Sequence, residues 1–188
     1  VSILSLSEVI KNHLEIHREA LPVLKQLVEK TGETAHIGIM EGTKLVYLHI
    51  VQSKSPIRTY TYIGRRVPCY CTGGGKAVIA FQDEDTIEQV IREGLIPFTE
   101  KTITDPHVFR SHLKEVRQNG YAVSIREFVA EEELVSVGAP IRNYAGHVFA
   151  SIFIVGPAYR MKQKKIFHYA KDVMKAAAEL SRNLGYFK

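Results

Sequence analysis

Apolar residues recur at Ile3, Leu6, Ile10 and Leu14 with Ser, Glu, Lys and Asn between them, the spacing of one helix face. Leu21, Leu24, Leu27 and Val28 keep the period, but Pro22 interrupts it. The pattern predicts one helix to about His13 and a second from about Glu15 to Lys30, kinked or restarted near Pro22 and ended by Gly32. From Thr34 the period changes. Ala35 to Met40 and Leu45 to Gln52 read as strands around the hairpin turn Glu41-Gly42-Thr43-Lys44. Ile57 to Ile63 alternates as a third strand with one buried face.

Three glycines, Gly73 to Gly75, then open an apolar helical run from Ala77 to Phe81. Asp83 caps a helix from Asp85 to Glu93 that Gly94 closes. Asp105-Pro106 starts another, to about Asn119-Gly120, with Val108, Phe109, Leu113 and Val116 on one side. Tyr121 to Phe128, Leu134 to Arg142 and His147 to Val155 read as three more strands, and Ala130 to Glu133 as a solvated acidic loop. A final amphipathic helix spans Met161 to Leu184, with Ile166, Val173, Met174, Ala177 and Leu180 on its apolar face. Hairpins dominate and no βαβ alternation appears. The expected fold is α+β, a roughly six-stranded antiparallel sheet with flanking helices.

Composition adds limits. The chain has 188 residues, 45% apolar and 24% charged, as in one globular domain. No apolar run approaches the roughly 20 residues of a membrane span, and the first residues are not a signal peptide. Cys69 and Cys71 would face opposite ways in an extended segment, so no disulfide is expected, which suits the cytoplasm. The net charge of +5 is scattered and reads as solvated surface, not as a nucleic-acid footprint. The chain starts at Val1 in what reads as a helix, and a partner domain upstream is expected.

Candidate chemistry concentrates around the glycines. A phosphate loop is excluded because Tyr70 and Ala77 stand where it needs Gly and a Ser or Thr. Thr72 can cap the helix, leaving the Gly73 to Gly75 amides to receive a carboxylate. Equally, the glycines can serve a tight crossing of helix over strand. Cys69 and Cys71 with His49 or His36 make a poor zinc set, and packing is the better reading. His13 and His17 lack a metalloprotease pattern, and Ser136 and Ser151 lack a nucleophile elbow. No catalytic constellation, metal site or cofactor site can be assembled.

Tyr62-Ile63-Gly64-Arg65-Arg66-Val67-Pro68, Thr72-Gly73-Gly74-Gly75-Lys76-Ala77 and Asn119-Gly120-Tyr121-Ala122-Val123 occur in order. Gly138-Ala139-Pro140-Ile141 and Gly156-Pro157 with Arg160 follow. Together they resemble the effector-binding domain of IclR-type bacterial transcription regulators, over nearly the whole chain. The resemblance implies a GAF- or profilin-like sheet that binds a small organic acid or aromatic metabolite. It further implies a homodimer or homotetramer, with DNA held by an N-terminal winged helix-turn-helix absent from this chain. Residues 1–13 would be the end of the linker helix and 14–188 the effector domain.

Carried over by position, the pocket would comprise Val67, the capping Thr72, Gly73, Gly74, Ser124, Ser136, Phe153 and Val155. Ser124 stands where the family often has an acid, and Ser136 where it has a cysteine. Phe153 and Val155 replace small polar residues, and both point inward if they share the core face with Phe149. They imply a smaller, more apolar pocket with fewer donors, suited less to a small polar ketoacid than to an apolar or aromatic effector, or to none. The alternatives are a GAF-like sensor of another signalling class, a small-substrate enzyme, or a pure dimerisation module.

Overall fold

The computed structural model describes residues 3–129 and 133–187, with side chains from residue 16 onward. Its elements run α1 (Ile3–Thr31), β1 (Thr34–Glu41), β2 (Lys44–Val51), β3 (Arg66–Pro68), α2 (Gly73–Ile79), α3 (Glu84–Glu93), α4 (Pro106–Asn119), β4 (Ala122–Ile125), β5 (Leu134–Arg142), β6 (Val148–Pro157) and α5 (Gln163–Asn183). The strands form one antiparallel sheet ordered β3-β2-β1-β6-β5-β4, so the two runs of three strands join where β1 pairs with β6. This is the expected α+β architecture.

Strand alternation sorts the core into two sides. Ala35, Ile37, Val137, Ile152 and Ile154 turn toward Ile16, Leu24 and Leu27 of α1 and Val173, Ala177 and Leu180 of α5. The opposite face carries Tyr47, Phe153 and Val155 against Val78 of α2. Outside α2, Ile87 and Val90 of α3 pack with Phe109, Leu113 and Val116 of α4. Val108 does not join its expected face; it is 55% exposed. Asp83 and Asp105 cap α3 and α4 as their positions predict, and Gly120 ends α4 at φ 77°.

Three expectations need correction. First, α1 is one continuous helix, broken neither near His13 nor at Pro22. Leu21 and Pro22 lie on its exposed face, while Ile16, Ala20, Val23, Leu24 and Leu27 are buried. An internal proline costs about 3 kcal/mol, and several buried side chains at roughly 1.5–3 kcal/mol each outweigh it.

Second, Ile57 to Ile63 pairs with no strand, and the third strand is Arg66–Pro68. The chain joins β2 only after turning at Gly64 (φ 85°), whose N–H donates to Tyr47 O at 2.8 Å. The alternation itself holds, with an inverted sense: Thr59 and Thr61 are buried while Tyr60 and Tyr62 are exposed.

Third, Phe149 does not share a face with Phe153 and Val155. Ile141 pairs with Ala150 and Arg142 with Val148, so Phe149 is the extra residue of a bulge and packs on the α1–α5 side. Of the acidic loop, Ala130 to Glu132 lie outside the described residues, and Glu133 is exposed.

Candidate effector site

The glycines of α2 answer to packing. A Cβ on Gly73 would stand 2.7 Å from Ser136 O, one on Gly74 2.4 Å from Phe153 Cδ1, and one on Gly75 2.3 Å from Cys69 O. Gly138, across on β5, would meet Gly73 O at 2.6 Å in the same way. Helix and sheet therefore touch backbone to backbone. Two of the three amides are not bare either. Gly73 N–H donates to Ser136 Oγ at 2.8 Å, and Gly75 N–H to the capping Thr72 Oγ1 at 3.2 Å. A carboxylate at this helix mouth would have to displace those partners.

The cavity lies beside that contact, between the opening of α2, the sheet and the 57–65 segment. Five of the eight expected residues line it: Thr72, Ser124, Ser136, Phe153 and Val155. Val67 is buried next to it in the apolar cluster of Phe153, and Gly73 and Gly74 lie behind Ser136 and Phe153. The sequence reading missed Tyr47, Thr59, Thr61, Arg65, Cys71 and Glu127 on its wall. The cavity volume is about 40 Å³, room for a few water molecules. Two wider hollows, of about 290 Å³ around Arg142 and about 270 Å³ beside Ile57, carry none of the expected residues.

Phe153 fills the floor. Its ring stacks on His36 with centroids 4.9 Å apart and planes 5° apart, and Tyr47 leans on it at 5.4 Å. His36 Nε2 meets Thr61 Oγ1 at 2.8 Å, while Nδ1 has no hydrogen-bond partner among the described residues. Burial, and then the Arg65 charge, lower the His36 pKa to about 3, so the ring is neutral. Burial likewise pushes the Tyr47 phenol up to about 12 against the pull of Arg65. Cys69 and Cys71 are free, buried thiols, and burial raises both, Cys69 to about 12.

One wall is held by a buried ion pair. Lys76 is fully buried within α2, and its Nζ reaches Glu127 Oε1 at 2.6 Å and Val123 O at 3.1 Å. Burial pulls the lysine down and the glutamate up, and their contact opposes both shifts. Glu127 is positioned from outside by Thr102 Oγ1, which donates to its carbonyl at 2.6 Å, and it follows Arg126 in a left-handed conformation (φ 58°). The 57–65 wall is fixed at its start by Arg160, which donates to Ile57 O and grips the buried Glu33 through two 2.8 Å bonds. Gly156 is needed there, since a Cβ would lie 2.3 Å from Glu33 Oε2.

Among the described residues, no three His, Cys, Asp or Glu side chains are grouped to hold a metal, and no helix is long and apolar enough to cross a membrane. What the cavity offers is a guanidinium, threonine hydroxyls and a carboxylate around an aromatic floor.

Comparison with known proteins bears on what such a cavity serves. The family described as "Bacterial transcriptional regulator IclR C-terminal" matches residues 8–182. The chain is similar to the HTH-type transcriptional regulator KipR of Bacillus subtilis, 30% identical over 97% of this chain and 73% of that protein. It is 32% identical to KdgR of Escherichia coli over 93% of this chain and 66% of KdgR. Against BhcR of Paracoccus denitrificans the figures are 34%, 86% and 58%. The chain thus spans about three-fifths to three-quarters of these relatives' length. Among solved structures, IclR of Thermotoga maritima superposes with a TM-score of 0.85 at 31% identity, over 95% of this chain and 74% of that one. The C-terminal domain of KdgR gives 0.80 at 29%, over 92% and 99%. These relatives are transcription regulators and not enzymes.

Proposed function

The chain belongs to the IclR family of bacterial transcription regulators, as its C-terminal domain, and we propose that it is the effector-sensing and oligomerisation domain of a cytoplasmic DNA-binding regulator. The effector is a small organic acid held in the cavity beside α2. Its acid group pairs with Arg65, and its body lies on Phe153. DNA is bound by an N-terminal helix-turn-helix domain in the longer protein, reached through the first turns of α1, and the regulator works as a dimer or tetramer. The observation that carries this reading is the convergence of Thr72, Ser124, Ser136, Phe153 and Val155 on one cavity that also contains a cation.

A site for an acid needs a positive partner in a sheltered place. Arg65 is half-buried, and the one hydrogen bond of its guanidinium among the described residues, to Tyr60 O at 3.4 Å, is long. Its fork of donors suits a carboxylate. A cavity of about 40 Å³ admits only a short acid unless the wall moves. The 57–63 segment, outside any strand ladder, is the wall best able to shift. An effector can bias subunit arrangement only as far as its affinity differs between the two arrangements.

The test is a thermal-shift screen of short organic acids against the wild type and Arg65→Met. Stabilisation by an acid that is lost in Arg65→Met supports the assignment. Stabilisation by cyclic nucleotides and by no acid would sink it.

A further inference from the structure

We propose that the effector carries, besides its acid group, a hydrogen-bond donor that meets Glu127 Oε2, so the ligands are short hydroxy or amino acids and neither plain nor keto acids. The inference rests on the effector reading above and names which acids the same site takes.

The observation is an orphan. Glu127 is 7% exposed and lines the cavity, and among the described residues its Oε2 is buried with no hydrogen-bond partner. Buried carboxylate oxygens are almost always paired, because desolvating one without a donor is costly. The other oxygen, Oε1, already accepts from Lys76 Nζ at 2.6 Å and from Ile125 N–H at 3.3 Å.

The described neighbours direct their donors elsewhere. Lys76 Nζ has three directions to donate, toward Glu127 Oε1, Val123 O and His112 Nε2 at 3.4 Å. Ser124 lies within hydrogen-bonding reach of the Glu127 carboxylate and helps lower its pKa, but its hydroxyl proton is directed to Cys71 O at 2.8 Å. Among the described residues, Thr59 Oγ1 is a second buried orphan on the same wall. No ion pair joins Arg65 and Glu127 among the described residues, so the cavity presents a cation and an unfilled acceptor as separate features.

A ligand fills both only if it is an acid with a donor of its own. A plain acid leaves Glu127 Oε2 unpaired. A keto acid sets a carbonyl oxygen, an acceptor, against an acceptor. A hydroxyl donates to Glu127 and can accept from Thr59, and an ammonium adds charge attraction to the same contact. A site built around such a contact rejects the analogue that lacks it far more strongly than an apolar pocket rejects a missing methylene.

The experiment is calorimetric titration of the 188-residue chain with butyrate, α-ketobutyrate, α-hydroxybutyrate, β-hydroxybutyrate and α-aminobutyrate. At least one hydroxy or amino acid should bind roughly tenfold or more tighter than butyrate and the keto acid. That advantage should vanish in Lys76→Met/Glu127→Leu, which removes both buried charges together. Arg65→Met should weaken every acid alike. Butyrate or the keto acid binding as tightly as the best donor-bearing acid overturns the inference and leaves the acid site standing. No heat from any acid overturns the effector reading itself. The wild-type ranking decides the matter even if the double variant fails to fold.

Discussion

Gly74→Ala should destabilise the domain through one identifiable clash. The new Cβ would stand 2.4, 2.7 and 2.8 Å from Phe153 Cδ1, Cε1 and Cγ. Carbon atoms in contact prefer about 3.5–4.0 Å, so the ring must retreat by roughly 1 Å. It has little room to do so, because His36 lies parallel to it at 4.9 Å and Tyr47 closes in at 5.4 Å. Overpacking of this kind costs about 1–3 kcal/mol, and the helix-propensity gain of Gly to Ala returns at most about 1 kcal/mol. We expect a net loss of about 1–2 kcal/mol, a Tm decrease of roughly 2–8 °C for a chain of this size. The assay is urea denaturation of Gly74→Ala, Phe153→Leu and the double variant. Trimming the ring removes the clash, so the double variant should be more stable than the sum of the singles by about 1 kcal/mol or more. Gly75→Ala is the control: its Cβ would meet Cys69 O and Cα at 2.3 and 2.4 Å, backbone atoms that no change at Phe153 relieves. Additivity of Gly74→Ala and Phe153→Leu within about 0.5 kcal/mol would refute the account of why glycine is required.

Lys76→Met should cost about 3–5 kcal/mol by leaving Glu127 unpaired, and Lys76→Met/Glu127→Leu should cost less than that single change; denaturant midpoints check the order. Ser136→Ala removes the acceptor of the Gly73 amide and should cost about 1–3 kcal/mol, read by the same titration. His36 has a folded pKa near 3 against 6.5 in a model peptide, so its neutral form is the one folding favours. That contribution is present above about pH 6.5 and is lost as the pH falls toward 3, because the unfolded chain takes up the proton first. By pH 5 the loss is about 2 kcal/mol, and His36→Asn should flatten the pH dependence of Tm between 7 and 5.

The sheet was legible because its signals are local. The turn residues 41–44 and the run of alternating strands are enough to place five of the six strands, and the caps at Asp83 and Asp105 mark two helices. The failures are tertiary in origin. Whether Pro22 ends a helix depends on which side of α1 faces water, and that is set by α5 and the sheet. Tyr60 and Tyr62 outside with Thr59 and Thr61 inside inverts the usual sense of alternation, because the two threonines line the cavity. Phe149 was misplaced by one bulge residue.

The site divides in the same way. Ser124, Ser136, Phe153 and Val155 lie on regular strands, where position in the motif fixes the face. Glu127 follows a left-handed residue beyond the end of β4, and Arg65 lies in the turn before β3. Neither has a periodic signal, and both supply the charge that the strand residues lack. The buried Lys76 carried a faint one: a lone cation inside a run otherwise made of Gly, Ala, Val and Ile needs a buried partner.

The most direct test of the central claim is where a stabilising acid binds. Amide chemical-shift mapping with the tightest acid of the calorimetric series separates the possibilities. The account predicts the largest shifts at Thr59, Thr61, Arg65, Thr72, Ser136 and Glu127, and none of them in Arg65→Met. Shifts centred on Phe81, Arg142 and Tyr186, around the wider hollow between β5, α4 and α5, would contradict it.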